Sequence, residues 1–210
     1  MLDVWACPWH ISVQESLPPL YEYVMGVEPF ERAVRSTRAV IGGVTPEQLT
    51  LPTPCASWQV SDLINHIVGG QFFFAAMASG EKPSRDRPDF SAGDFVGDFE
   101  RGSTAAIAAF DEPGAMERTM HLPFGDMPGS VFVNIAATDT FIHGWDLAKA
   151  TGQPADLDPD LAAALLVGAR PFLSDSLRGP EGKASFGPEQ PCASDAPHAD
   201  QLAAFLGRVV

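Results

Sequence analysis

Apolar positions recur at intervals of three and four residues in long stretches of the chain, and that rhythm predicts helices. The first runs from about Pro29 to Gly43, with Phe30, Val34 and Ile41 on one side and Gly42-Gly43 as its stop. The second spans about Ser57 or Gln59 to Ser79; Leu63, His66, Ile67, Gly70, Phe73, Phe74 and Met77 keep the rhythm, so His66 faces the core. A third opens near Ser91-Ala92-Gly93-Asp94, aligns Phe95, Phe99, Ala106 and Phe110, and stops at Glu112-Pro113-Gly114. The fourth starts at 128–130 and continues to Ala150, with Phe132, Ile135, Asp139, Ile142 and His143 on one face. Asp158-Pro159 opens a fifth through Leu161, Leu165 and Phe172, bent or frayed at Pro171, and Ser194-Asp195 opens a terminal helix over Ala199 to Leu206.

The stretches between are as informative. Thr45-Pro46-Glu47-Gln48 has the form of a capping box for a short helical turn. Leu51-Pro52-Thr53-Pro54-Cys55 is expected to be extended, because each proline disfavours helix in the residue before it. Residues 81–91 read as a polar linker, 115–130 as a loop or short hairpin, and 179–191 as a Gly/Pro-rich connection. There is no internal repeat and no βαβ unit. The expected fold is all-α, a helical bundle over 27–210 with short C-terminal helices, preceded by an irregular extension over 1–26.

Composition narrows the function. The 210 residues suffice for one domain with a substantial core, and 13 basic against 27 acidic residues leave a net charge of −14. That sign argues against nucleic acid as a partner. Three scattered cysteines, Cys7, Cys55 and Cys192, form no CxxC pair and no disulfide framework, which fits a reducing compartment. The first 25 residues lack the basic start of a secretory signal, and no stretch approaches the roughly 20 apolar residues of a membrane span. The expected location is the cytoplasm.

The chemistry is concentrated in Thr138-Asp139-Thr140-Phe141-Ile142-His143-Gly144-Trp145-Asp146-Leu147. Asp139 and His143 stand four residues apart and project from one helix face. A carboxylate oxygen and an imidazole nitrogen suit zinc and its neighbours. A third ligand has to come from elsewhere, and His66 is the best placed. The competing reading pairs Asp139 with His143 by a hydrogen bond and packs His66 elsewhere; a core-facing carboxylate requires one or the other. Separations of about 3–4 Å among the three groups would fit one metal ion with bonds near ~2 Å. His10, His121 and His198 are expected at the surface, Trp58 and Trp145 in the core, and Cys55 as a packed thiol near a helix start. Asp146 is expected behind Asp139 and His143 as a supporting partner. No GxSxG elbow and no phosphate-cradling glycine motif is present.

Thr53-Pro54-Cys55-Ala56-Ser57-Trp58-Gln59-Val60-Ser61-Asp62-Leu63-Ile64-Asn65-His66-Ile67 resembles the TPCxxWxVxDLxNHL segment of actinobacterial DinB-like metal-binding proteins. Relatives of those proteins include the mycothiol-dependent maleylpyruvate isomerases. Asp139 through Ala148 is similar to the family's second signature, a carboxylate four residues before the His of HxWDLA. Pro123-Phe124-Gly125 and the ending Phe205-Leu206-Gly207-Arg208 fit as well. The resemblance implies a four-helix up-down-down-up bundle that holds a divalent metal, commonly zinc, through His66, Asp139 and His143. The isomerases use Glu where this chain has Asp139, and they carry a C-terminal α/β domain for which 151–210 is too short and too helical. The function implied is a metal-dependent thiol transferase or isomerase, with mycothiol as the thiol and a small electrophile as substrate, contacted from 81–91 and 115–130. A hydrolase using metal-activated water and a non-catalytic metal- or ligand-binding module are the alternatives. A homodimer is compatible with the resemblance.

Overall fold

The computed structural model describes residues 26–210, apart from 56, 87, 123–124, 181–183 and 185. The extension expected over 1–26 therefore lies almost wholly outside the described residues, as do Cys7 and His10. The described elements are α1 (Glu28–Ile41), α2 (Val60–Ala78), α3 (Phe95–Phe110), β1 (Thr119–Leu122), β2 (Gly125–Pro128), α4 (Gly129–Thr151), α5 (Pro159–Ala169) and α6 (His198–Phe205). Single 3-10 turns occupy Pro46–Gln48, Phe90–Ala92 and Asp175–Leu177. The chain is thus mostly helical, with one small antiparallel ribbon.

Local chemistry sets the helix ends. Gln48 Oε1 accepts the Thr45 N–H at 2.9 Å, half of the expected capping box. Asp62 reaches back to the Gln59 N–H at 3.0 Å and opens α2. Asp94 accepts the Gly97 N–H at 2.9 Å at the start of α3, and Asp158 accepts the Leu161 N–H at 3.1 Å at the start of α5. Gly152, at φ +70°, closes α4 in a left-handed conformation that glycine adopts without a Cβ clash.

Which helices run together follows from their contacts. Phe30 of α1 lies against Phe110 of α3, while Arg38 pairs with Glu100, so α1 and α3 are antiparallel. His66, Gln71 and Phe74 of α2 meet His143, Thr140 and Phe132 of α4 in reversed order, so these are antiparallel too. The linker before α3 returns to Asn65 near the start of α2, whereas Arg118, just after α3, bonds the Ala78 carbonyl at the end of α2. Hence α2 and α3 run the same way. Gln153, past the end of α4, donates to Val40 O near the end of α1, so α1 and α4 are also parallel. The order is up, down, down, up.

One end of the bundle is filled by Phe30, Phe73, Phe74, Phe110 and Phe132, whose ring centroids lie 5.6–6.2 Å apart in mostly edge-to-face pairs. Toward the other end α1 and α4 approach at Gly144, where a Cβ would come within 2.3 Å of Thr37 Oγ1. The Thr37 hydroxyl donates to Thr140 O at 2.9 Å across that contact. The C-terminal helices pack outside α4 and α1: buried Trp145 donates its indole N–H to Asp200 at 2.8 Å, and Arg32 binds Asp158 through two hydrogen bonds of 2.6 and 2.9 Å.

Segment 115–130 forms β1 and β2, the short hairpin that was one of the two forms expected of it, in register Met120↔Met127 and His121↔Asp126. Two expectations are revised. The fifth helix ends at Ala169 rather than including Phe172, because Pro171 has no N–H to continue the ladder. Ser194-Asp195 lies before the terminal helix, which begins at His198.

Candidate metal centre

The two halves of the site come from α2 and α4, antiparallel across the bundle. On α2 the helical period turns His66 inward, where it is 8% exposed. On α4, Asp139 and His143 share a face one turn apart, and their side chains are 12% and 11% exposed. Asp139 Oδ1 sits 3.6 Å from His66 Nε2 and 3.5 Å from His143 Nε2. These separations exceed a good N–H···O hydrogen bond. They match the edge of a tetrahedron about 3.4 Å long, which follows from metal–ligand bonds near ~2.1 Å. One oxygen placed between two imidazole nitrogens, nearly out of water, is a donor set that fits a divalent cation.

Electrostatics agree with that arrangement. Burial opposes charge on Asp139, but His143 and then His66 outweigh it and hold the carboxyl well below its ordinary range. Burial likewise opposes charge on His143, and Asp139 reverses the balance so that the imidazole holds a cation's proton well above its usual range. Positive charge, as a proton or as a metal ion, is what this pocket stabilises.

Behind His143 stands Asp146, fully buried. Its Oδ2 lies 3.0 Å from His143 Nδ1 and 3.5 Å from Cys55 Sγ, which donates to it. Arg208 donates from Nη2 to Oδ2 at 3.0 Å and from Nε to Oδ1 at 3.3 Å. Burial would raise the Asp146 carboxyl; Arg208 and then His143 bring it down to about 2. An ionised Asp146 fixes the proton of neutral His143 on Nδ1 and aims Nε2 at Asp139.

Cys55, His143 and Asp146 form a second trio whose donor atoms lie within 4.8 Å of one another, as those of His66, Asp139 and His143 do. The guanidinium on both oxygens of Asp146 already supplies the cation there, which leaves the trio with His66 and Asp139 as the one suited to a metal ion.

The extended residues before α2 form a cover. Thr53 Oγ1 accepts the Cys55 N–H at 3.2 Å and lies 3.0 Å from both the Cys55 and Trp58 carbonyls, which curls the segment over the site. Trp58 comes to rest 4.8 Å from the His66 ring and 5.8 Å from the His143 ring. The sequence reading placed Trp58 in the core; it is half-buried above the two imidazoles. Trp145 is buried as expected. His121 is exposed on the hairpin beside Asp126, and His198 is exposed near Pro159 O.

The segments expected to contact substrate separate. Asp89 and Ser91 bond Asn65, next to His66. The hairpin is tied through Arg118 to Ala78, twelve residues or about 18 Å along α2 from His66, which removes the reason for assigning substrate contact to its base. Arg208 was noted only as part of the terminal motif, and its pairing with Asp146 was missed. It stands 62 residues from Asp146, and no periodicity relates the two.

A family model for the mycothiol maleylpyruvate isomerase N-terminal domain matches residues 30–148, which include all three residues of the candidate metal trio. The uncharacterized proteins MT0763 and Rv0738 of Mycobacterium tuberculosis, from strains CDC 1551 / Oshkosh and ATCC 25618 / H37Rv, are each 43% identical over 180 residues. That similarity covers 86% of this chain and 96% of each relative. Two crystal structures of the mycothiol-dependent maleylpyruvate isomerase, one of them a point mutant, share the fold at TM-scores of 0.55 and 0.54. Both are 16% identical to the chain, with 71% of it and 68% of the enzyme covered. The bundle, its order of helices and the match across its four long helices converge: the chain belongs to the mycothiol maleylpyruvate isomerase N-terminal domain family.

Proposed function

We propose that the protein is a metal-dependent thiol transferase or isomerase of the cytoplasm that uses mycothiol or a similar small thiol against a small electrophile. The observation that carries this reading is the spacing of Asp139 Oδ1 at 3.6 and 3.5 Å from two imidazole nitrogens on different helices. His66 Nε2, Asp139 Oδ1 and His143 Nε2 would hold the ion, and two nitrogens with one oxygen suit zinc. When bound, such an ion lets a thiol exist as its thiolate near neutral pH.

The chain's own residues do the rest. Asp146 keeps the His143 Nδ1 proton in place, so that in the neutral imidazole Nε2 is the nitrogen with the lone pair. Trp58 covers one flank of the imidazoles and excludes water there. Gly69, Ile135 and Thr138, partly exposed on the two helices beside His66 and Asp139, would form the approach for a ligand.

The test is a conjugation assay with zinc-loaded protein, mycothiol or a simpler thiol, and a panel of electrophiles such as maleyl and enone compounds. Turnover should require both thiol and metal and fall by at least about a hundredfold in His66→Ala. Turnover of esters or amides without added thiol would replace this reading with a hydrolase. Unchanged thiol-dependent activity in His66→Ala would overturn it.

A further inference from the structure

The C-terminal tail supplies a side chain to the centre, and its construction is specific. After α6 the chain turns at Gly207, which has φ +94° and lies so close to Gly187 that a Cβ would meet that residue's backbone at 2.7–2.9 Å. Arg178 ties the same crossing from beneath, donating to Gly187 O at 3.1 Å and Phe205 O at 2.7 Å. The next residue is Arg208. Its guanidinium, 14% exposed, meets the fully buried Asp146 with two donors and also bonds Leu206 O at 3.1 Å.

We infer that Arg208 is a positioning residue of the proposed metal centre, acting through Asp146 on the Nδ1 side of His143. This rests on the metal reading given above. Asp146 is fully buried, and a carboxylate in that position keeps a fixed rotamer only while its oxygens are bonded. Cys55 and His143 both approach Oδ2; Oδ1 is met by Arg208. Without the guanidinium the carboxylate is free to rotate toward Cys55, and His143 loses the partner that sets its ring. A lysine keeps the charge but not the two-donor fork, so it replaces Arg208 in part. The terminal segment thus acts as a strut for a ligand on α4, more than sixty residues earlier in the chain.

The experiment measures affinity for zinc and cobalt(II) by competition with a chromophoric chelator, and records the visible spectrum of the cobalt(II) protein. Arg208→Ala should bind either ion about 10–100-fold more weakly and change the cobalt(II) bands. Arg208→Lys should fall between it and the original protein. Asp200→Ala loosens the same tail elsewhere, by removing the acceptor of the Trp145 indole, and should leave affinity and spectrum unchanged. The inference is overturned if Arg208→Ala binds within about twofold of the original, or if Asp200→Ala weakens binding as much. Should Arg208→Ala not fold, Arg208→Lys decides: an original-like affinity and spectrum overturns the inference, and a several-fold loss with altered bands supports it. If the unaltered protein takes up neither ion, the metal reading itself fails and the inference falls with it; if it binds and the variants do not differ, the inference alone fails.

Discussion

Asp139 is the residue on which the site turns, because one of its oxygens lies between the two imidazole nitrogens. Asp139→Asn preserves its shape and removes its charge. Protein purified without chelator should hold about one divalent ion per chain, and the asparagine variant close to none, by elemental analysis. Full metal content in the variant would return Asp139 to the competing reading, a hydrogen-bonded partner of His143. How much of this the chain discloses differs from residue to residue. Asp139 and His143 declare themselves by a four-residue spacing, and His66 by its place in an apolar stripe. That His66 meets them is a fact of tertiary structure, readable only through the resemblance of two short motifs. Arg208 and Trp58 stand inside the resembled stretches, but the resemblance gives neither of them a role. An arginine near a chain end and a tryptophan before a helix carry no periodic signal, and each acquires its role from where a loop or tail happens to fold.

At the scale of elements, the joints between helices carry much of the stability. Asp158 begins α5 and also binds Arg32 of α1, so one carboxylate serves as helix cap and inter-helix tie. Asp158→Ala should cost about 1–2 kcal/mol in denaturant unfolding, from a lost cap and a part-buried ion pair. The hydrogen bonds from Arg32 are the main cause of the lowered Asp158 carboxyl, partly offset by burial and helped by the Leu161 N–H. A carboxyl lowered in the folded state stabilises above its unfolded value near ~3.9, and that contribution is lost as the pH falls through the folded value. The gap in stability between the original and Asp158→Ala should therefore narrow below about pH 4. An unchanged gap at pH 3 would assign the loss to packing instead. Caps such as Asp158 are legible, since Asp-Pro before an apolar run has few other meanings. The end of α5 is less so: the apolar Phe172 continues the stripe in sequence while Pro171 has already broken the helix.

For the whole molecule, binding of a metal to the folded chain alone raises its stability by mass action. A free zinc concentration a thousandfold above Kd adds about 4 kcal/mol, which appears as a higher Tm and a chelator-reversible shift. His66→Ala should abolish the shift, even if its metal-free stability is close to that of the parent. A zinc-dependent rise in Tm that survives in the variant would locate the ion elsewhere. The all-helical class was readable from periodicity, because four long stripes with capped ends leave little room for a sheet. The up-down-down-up order was available only by resemblance. A linker such as 79–94 permits either a reversal or a return, and contacts such as that between Asn65 and Asp89 make the choice.

The five interlocked phenyl rings sit at the end of the bundle remote from the histidines; Phe132 is eleven residues, about 16 Å, along α4 from His143. All four long helices contribute to that knot. Amide protons around it should exchange with solvent only on global unfolding, while those near Trp58 and the linker at Asn65 open in smaller excursions. Chemistry and cohesion are then held by different ends of the same rods, so the histidine end can be re-tailored for other reactants without loosening the barrel that carries it.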